Sequence, residues 1–154
     1  MSKLVEPYIN HLIKMKSKLE KLGQLAVMEK ADFIIFTLTE RQLALGLNSK
    51  GSVAGTYADY TALKASDPYN KPRRPKVRGQ NWNFDWSGQL FETMQVKAKA
   101  DSFSIYSSVG KGKFLEKEFG QELMTLTDEN NKMINETVIL PYLYKYILEN
   151  MFKF

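Results

Sequence analysis

Leu4, Tyr8, Leu12, Met15, Leu19, Leu22 and Ala26 recur at spacings of 4, 4, 3, 4, 3 and 4. Only an α-helix places such residues on one stripe, so the first thirty residues are predicted to be helical and to bury one face. Lysines and Glu20 occupy the other faces. The pattern resumes from Leu25 to Leu45 and stops at Gly46, which suits a C′ glycine. Gly23 costs up to ~1 kcal/mol relative to alanine. The sequence leaves open one long helix or two, with a bend near Gly23 or Asp32. His11, the one histidine, lies beside the stripe and reads as a surface or boundary residue.

The middle of the chain changes character twice. Residues 47–55 carry Gly51 and Gly55 among polar residues, which marks a turn or short hairpin. Tyr57 to Lys64 can form about two helical turns. Lys71, Arg73, Arg74, Lys76 and Arg78 then put five cations into eight residues, with Pro68, Pro72 and Pro75 excluding regular helix. The expectation is an extended basic loop at about 66–81 that reaches outward. Trp82, Phe84 and Trp86 alternate and read as aromatic anchors in the core. Ser87 is the expected N-cap of a short helix, Gly88 to Met94.

Alternation of apolar and polar residues over Met94–Ala100 and Ser102–Ser107 predicts a hairpin turning near Asp101. Met94, Val96 and Ala98 would face the core opposite Phe103 and Ile105, with Lys97, Lys99 and Ser104 wet. Phe114–Phe119 reads as a helix of one to two turns closed by Gly120. Thr127, followed by Asp128 and Glu129, is a helix start, the acids suiting the N-terminal end of the dipole. The last helix is expected from Asp128 to about Phe152, with Pro141 kinking it or opening a second segment. The fold class is therefore α+β, a single domain over 1–154: long N-terminal helix, small antiparallel β-sheet with hairpin, C-terminal helix.

Composition narrows the chemistry. The 154 residues include no cysteine and one histidine, which excludes thiol catalysis, disulfides and any mechanism with two imidazoles. The formal charge of +5 permits an anionic partner without requiring one. Gly110-Lys111-Gly112-Lys113 lacks the glycine five positions earlier and the following hydroxyl of a Walker loop, and reads as a turn. Glu116, Glu118, Glu122, Asp128 and Glu129 cluster in sequence, but each has an ordinary role as helix surface or cap. A carboxylate hydrolase would need one of them buried near Glu116 or Glu118. No cofactor or metal is expected, and the reading is not an enzyme. The longest apolar run, residues 33–36, falls far short of the ~20 that span a bilayer, so no membrane contact is expected. Nothing at the N-terminus reads as an export signal, so synthesis is expected in the cytosol, where the sequon at Asn135 has no role.

Lys71, Arg73, Arg74, Lys76 and Arg78 are the candidate contact residues. They suit docking on an acidic neighbour, where arginine forks bind carboxylates. A plain solvated loop and contact with DNA phosphates, with bases stacked on the nearby aromatics, remain as alternatives.

The order of several short motifs is familiar. Ser87-Gly88-Gln89-Leu90-Phe91-Glu92-Thr93-Met94 resembles the T-G-x-L helix of small tail-completion and head–tail joining proteins of tailed bacteriophages, where it also precedes a β-hairpin. Phe114-Leu115-Glu116-Lys117-Glu118-Phe119-Gly120 is similar to their short helix after the hairpin. Leu123-Met124-Thr125-Leu126-Thr127-Asp128-Glu129-Asn130 resembles the entrance to their final helix. Gly46-Leu47-Asn48-Ser49-Lys50-Gly51, followed by Tyr57, also resembles small virion proteins of phages infecting Bacteroidetes. The resemblance covers roughly residues 34–148. It departs at Ser87, where threonine is commoner, and at Glu122-Leu123-Met124, which lacks the usual glycine. It implies a structural virion protein with no active site and no cofactor, assembled in the bacterial host cytoplasm into a homo-oligomeric ring at the neck or upper tail. Its neighbours would be portal, connector or tail-tube proteins, with non-specific DNA contact in the lumen. The alternative is a nucleic-acid-binding module using residues 71–78.

Overall fold

The computed structural model describes residues 6–108 and 110–150, with the side chains of Lys111, Glu116, Gln121 and Asn150 outside the description. Leu4 of the stripe and the expected end of the last helix at Phe152 also lie outside the described residues. The protein is mixed helix and sheet. Its elements are α1 (Glu6–Glu29), α2 (Ala31–Arg41), α3 (Asp59–Ala65), α4 (Gln89–Glu92), β1 (Met94–Ala98), β2 (Phe103–Ser107), α5 (Gly110–Phe119), α6 (Asp128–Ile134) and α7 (Leu140–Asn150).

The helical stripe runs unbroken through Gly23, and the chain bends instead at Lys30, whose φ of −110° and ψ of 19° leave the helix. α1 buries only its last third, at Ala26 and Val27; Met15, Leu19 and Leu22 are half-buried, and Tyr8 and Leu12 are exposed. α2 is buried along Ile34, Thr37 and Leu38, and a 3₁₀ turn at Leu43–Leu45 ends at Gly46 with φ +74°. A side chain there would meet the Trp82 carbonyl oxygen at 2.3 Å, so glycine serves both the left-handed turn and the close approach.

β1 and β2 pair antiparallel in the register Met94–Ser107, Val96–Ile105, Ala98–Phe103. Burial alternates as expected, with Met94, Val96 and Ile105 inward and Gln95, Lys97 and Tyr106 outward. α1 and α2 pack on β1, and the core gathers Val27, Ile34, Leu38, Leu43, Leu90, Met94, Val96, Ile105, Leu123, Leu126 and Ile134.

Two local expectations are corrected and a third is sharpened. Gly110–Lys113 is the first turn of α5 rather than a loose turn, so this helix begins four residues before Phe114. Gly112 allows it, because a side chain there would meet Ser107 Cβ at 2.6 Å. Ser87 does not cap the helix before the hairpin; Gly88 stands at the N-cap with φ +82°, with the Arg73 guanidinium lying against it. Pro141 stands at the opening of a second helical segment, one residue later than the expected N1 position. It sits second in α7, and a π-turn at Asn135–Ile139 joins α6 to α7. Proline has no N–H for the Thr137 carbonyl four residues back, and the wider turn comes just before it. Thr127 caps α6 as expected, its hydroxyl accepting from Asn130 N at 3.2 Å.

Candidate functional site

The basic segment is irregular, as its prolines require, but it does not reach outward: it is stitched to the body. Pairing begins in the backbone. Tyr57 N donates to Gln80 O at 2.9 Å, Gly79 N to Tyr57 O at 3.0 Å, and Arg73 N to Trp86 O at 2.6 Å. Three of the cations then meet carboxylates. Arg74 Nη2 donates to both oxygens of Glu40 at 2.6 Å, and its Nε to Asp85 Oδ2 at 2.9 Å. Arg78 pairs with Asp59 at 2.9 Å and Arg73 with Glu92 at 3.4 Å, both on the surface.

Lys76 is buried, with 6% of its surface exposed. Its Nζ donates to Asn83 Oδ1 and, at 2.8 Å, to the Asp85 carbonyl, and stands 5.4 Å from the centroid of the Tyr57 ring. Asn83 N donates to Tyr57 Oη at 2.8 Å. Burial pulls the Lys76 ammonium down to about 8, against the opposing pull of Asp85 and with help from Arg74. Burial likewise raises the Tyr57 phenol. Asp85 is 1% exposed and its Oδ1 has no hydrogen-bond partner among the described residues. Of the five candidate contact residues, only Lys71 is exposed and makes no ion pair among the described residues.

Trp82, Phe84 and Trp86 are half-buried. Trp82 and Phe84 stack edge-to-face with Phe119 at 5.1 and 6.0 Å, so they serve packing. Phe84 reaches that position with φ +51°, a left-handed conformation that costs a non-glycine residue roughly 1–2 kcal/mol. The acids that cluster in sequence do not converge on one site among the described residues. Glu118, Asp128 and Glu129 are exposed, and Glu122 lies 3.8 Å from Lys50. The side chain of Glu116 is outside the description. Among the described residues no three acidic or histidine side chains converge as metal ligands.

Two features were not legible as sites in the sequence. One is Gln42, fully buried, whose Nε2 donates to Thr125 O at 2.8 Å while its Oε1 accepts from Thr127 N at 2.9 Å. It ties the end of α2 to the start of α6, and nothing in its local sequence signals this. The other is a surface. Ile9, Leu12 and Ile13 of α1 are 39%, 49% and 61% exposed, and Leu25 and Met28 are both 52% exposed. Leu140, Tyr144 and Leu148 of α7 add 55%, 62% and 56%. A groove of about 790 Å³ runs on the β2 side of the sheet, walled by α1 at Gly23 and Val27 and by Leu126, Asn131, Asn135 and Ile139. Comparison with protein-family models, with curated proteins and with solved structures returns no match.

Proposed function

We propose that this chain is a structural virion protein of a tailed phage that assembles as a ring at the neck or tail-completion position. The observation that carries the reading is the apolar surface of α1 and α7, where nine large side chains, Tyr8 among them, stand 39% exposed or more. Single exposed apolar residues are ordinary, but this many on two helices suit an interaction surface. The phage assignment rests on the ordered motifs between residues 34 and 148. Portal, connector or tail-tube proteins are the partners it names, and the reading is of an assembly protein rather than an enzyme.

Contact with DNA through residues 71–78 has less support, because Arg73, Arg74 and Arg78 are held by carboxylates and Lys76 is buried. The test is native mass spectrometry of the full chain, alone and with portal or tail-tube protein. Rings or defined complexes are expected; a monomer under every condition would refute the reading.

A further inference from the structure

The two-stranded sheet is open on both sides. Lys99 N donates to Ser102 O at 2.7 Å and Ser108 N to Thr93 O at 3.4 Å, bracketing the ladder and setting its parity. Between those bonds, Gln95 and Lys97 of β1 exchange hydrogen bonds with Tyr106 and Ser104 of β2. Val96 and Ala98, and likewise Phe103 and Ile105, therefore turn their N–H and C=O groups to the outer edges. Those outward groups have no hydrogen-bond partner among the described residues.

The residues with outward backbone groups are also the ones on the apolar face. Val96 and Ile105 are buried, and Ala98 and Phe103 pack against the core. Neither strand contains proline or a bulge, the usual devices that blunt an edge. Beside each edge there is room: the 790 Å³ groove on the β2 side, and one of about 730 Å³ on the β1 side against Lys21, Gln24, Leu25 and Met28 of α1.

We propose that these edges join between copies, β2 of one chain pairing antiparallel with β1 of the next, so that one sheet continues through the assembly. This rests on the assembly reading above and specifies its seam. The occupant of each edge is a second copy because the two edges match. Placed in the register the hairpin already uses, Ile105 meets Val96 and Phe103 meets Ala98 as hydrogen-bonded pairs on the apolar face. On the other face Tyr106 meets Gln95 and Ser104 meets Lys97. Within one chain Tyr106 Oη already donates to Gln95 Oε1 at 2.7 Å. No like charges oppose each other across this seam. Two different edges meet at it, so the contact is heterologous and propagates to a ring or a filament.

The chain has no cysteine, so mixing two single-cysteine chains reports only contacts between molecules. Lys97→Cys and Ser104→Cys change two residues of the polar face. Opposite residues at a non-hydrogen-bonded position have Cα atoms ~4.5 Å apart, within disulfide range. Under mild oxidation the mixture is expected to give a disulfide-linked pair that neither chain gives alone. Self-linking of the Ser104→Cys chain would show β2 meeting β2 and overturn the proposal. In parallel, Ala98→Pro removes one outward N–H of β1 and leaves the Lys97–Ser104 pair intact. It is expected to be folded by circular dichroism yet monomeric at concentrations where the unaltered chain assembles, and to cap unaltered chains when mixed with them. If Ala98→Pro assembles normally and the mixed cysteines fail to link, the seam is wrong while assembly stands. If the unaltered chain stays monomeric even with portal or tail-tube protein, the assembly reading falls and the seam with it.

Discussion

Asp85 holds the basic segment through Arg74 while its own second oxygen is buried without a partner among the described residues. Removing one member of a buried ion pair costs about 3–5 kcal/mol, because the other charge stays behind. Arg74 is a third exposed and keeps Glu40, so Asp85→Ala is expected to cost less, about 1.5–3 kcal/mol for a charged hydrogen bond, read from urea unfolding. Lys76 gives a pH signature. Its native value of about 8 lies below the ~10.4 of an unfolded lysine, so between the two the unfolded chain holds a proton that the native chain lacks. Stability therefore rises with pH across that window. The groups facing Lys76 are Tyr57, Arg74 and Asp85. Tyr57 is raised above its ordinary 10.0, so above that pH it works in the opposite direction. Urea midpoints between pH 7.5 and 9.5 should climb for the unaltered chain and lose most of that slope in Lys76→Met. These roles were hidden in the sequence because the partners are distant: Arg74 reaches Glu40 across 34 positions and Asp85 across 11. Composition shows a cluster of cations; only the fold shows which acids meet them.

Among the elements, those signalled by local pattern were legible and those set by tertiary contact were not. The hairpin, the Thr127 cap and the Gly46 stop follow from alternation, a hydroxyl and a positive φ, all of them local. The bend at Lys30 falls beside Asp32, one of the two places the sequence offers, whereas the early start of α5 at Gly110 depends on how Gly112 meets Ser107. Gly23 separates the two kinds of signal. It reads as a soft point, yet α1 is continuous there and an added side chain would meet nothing within 4 Å. Gly23→Ala should therefore stabilise the protein by about 0.5–1 kcal/mol, raising its melting temperature. Gln42→Leu preserves volume but removes the acceptor of Thr127 N and the donor to Thr125 O. Each buried unsatisfied group costs ~1–3 kcal/mol. A loss of at least about 2 kcal/mol is expected in denaturant unfolding, against about 1 kcal/mol for Thr127→Ala.

For the molecule as a whole, the arginines of the basic segment are settled internally while apolar surface is left over. Ile13 is 61% exposed, so Ile13→Lys should change stability by no more than about 0.5 kcal/mol. If α1 is an interface, the same substitution weakens self-association in sedimentation experiments. The candidate site was legible only in part: the sequence located the basic segment, but of the exposed apolar residues of α1 only Tyr8 and Leu12 lie on the stripe, and Ile9, Ile13, Leu25 and Met28 lie off it. Periodicity says that a face exists and not what covers it.

That half-covered helix carries its own reporter. The described residues of α1 before Ala26 include no fully buried side chain, whereas Ala26 and Val27 are buried and Val27 joins the core. Local opening is easiest where few apolar contacts hold a segment. Backbone amides near residues 9–18 should thus exchange with deuterium much faster than those near 24–29 in the isolated chain. Slowing confined to the early turns on assembly would locate the partner's footprint along α1, one turn at a time.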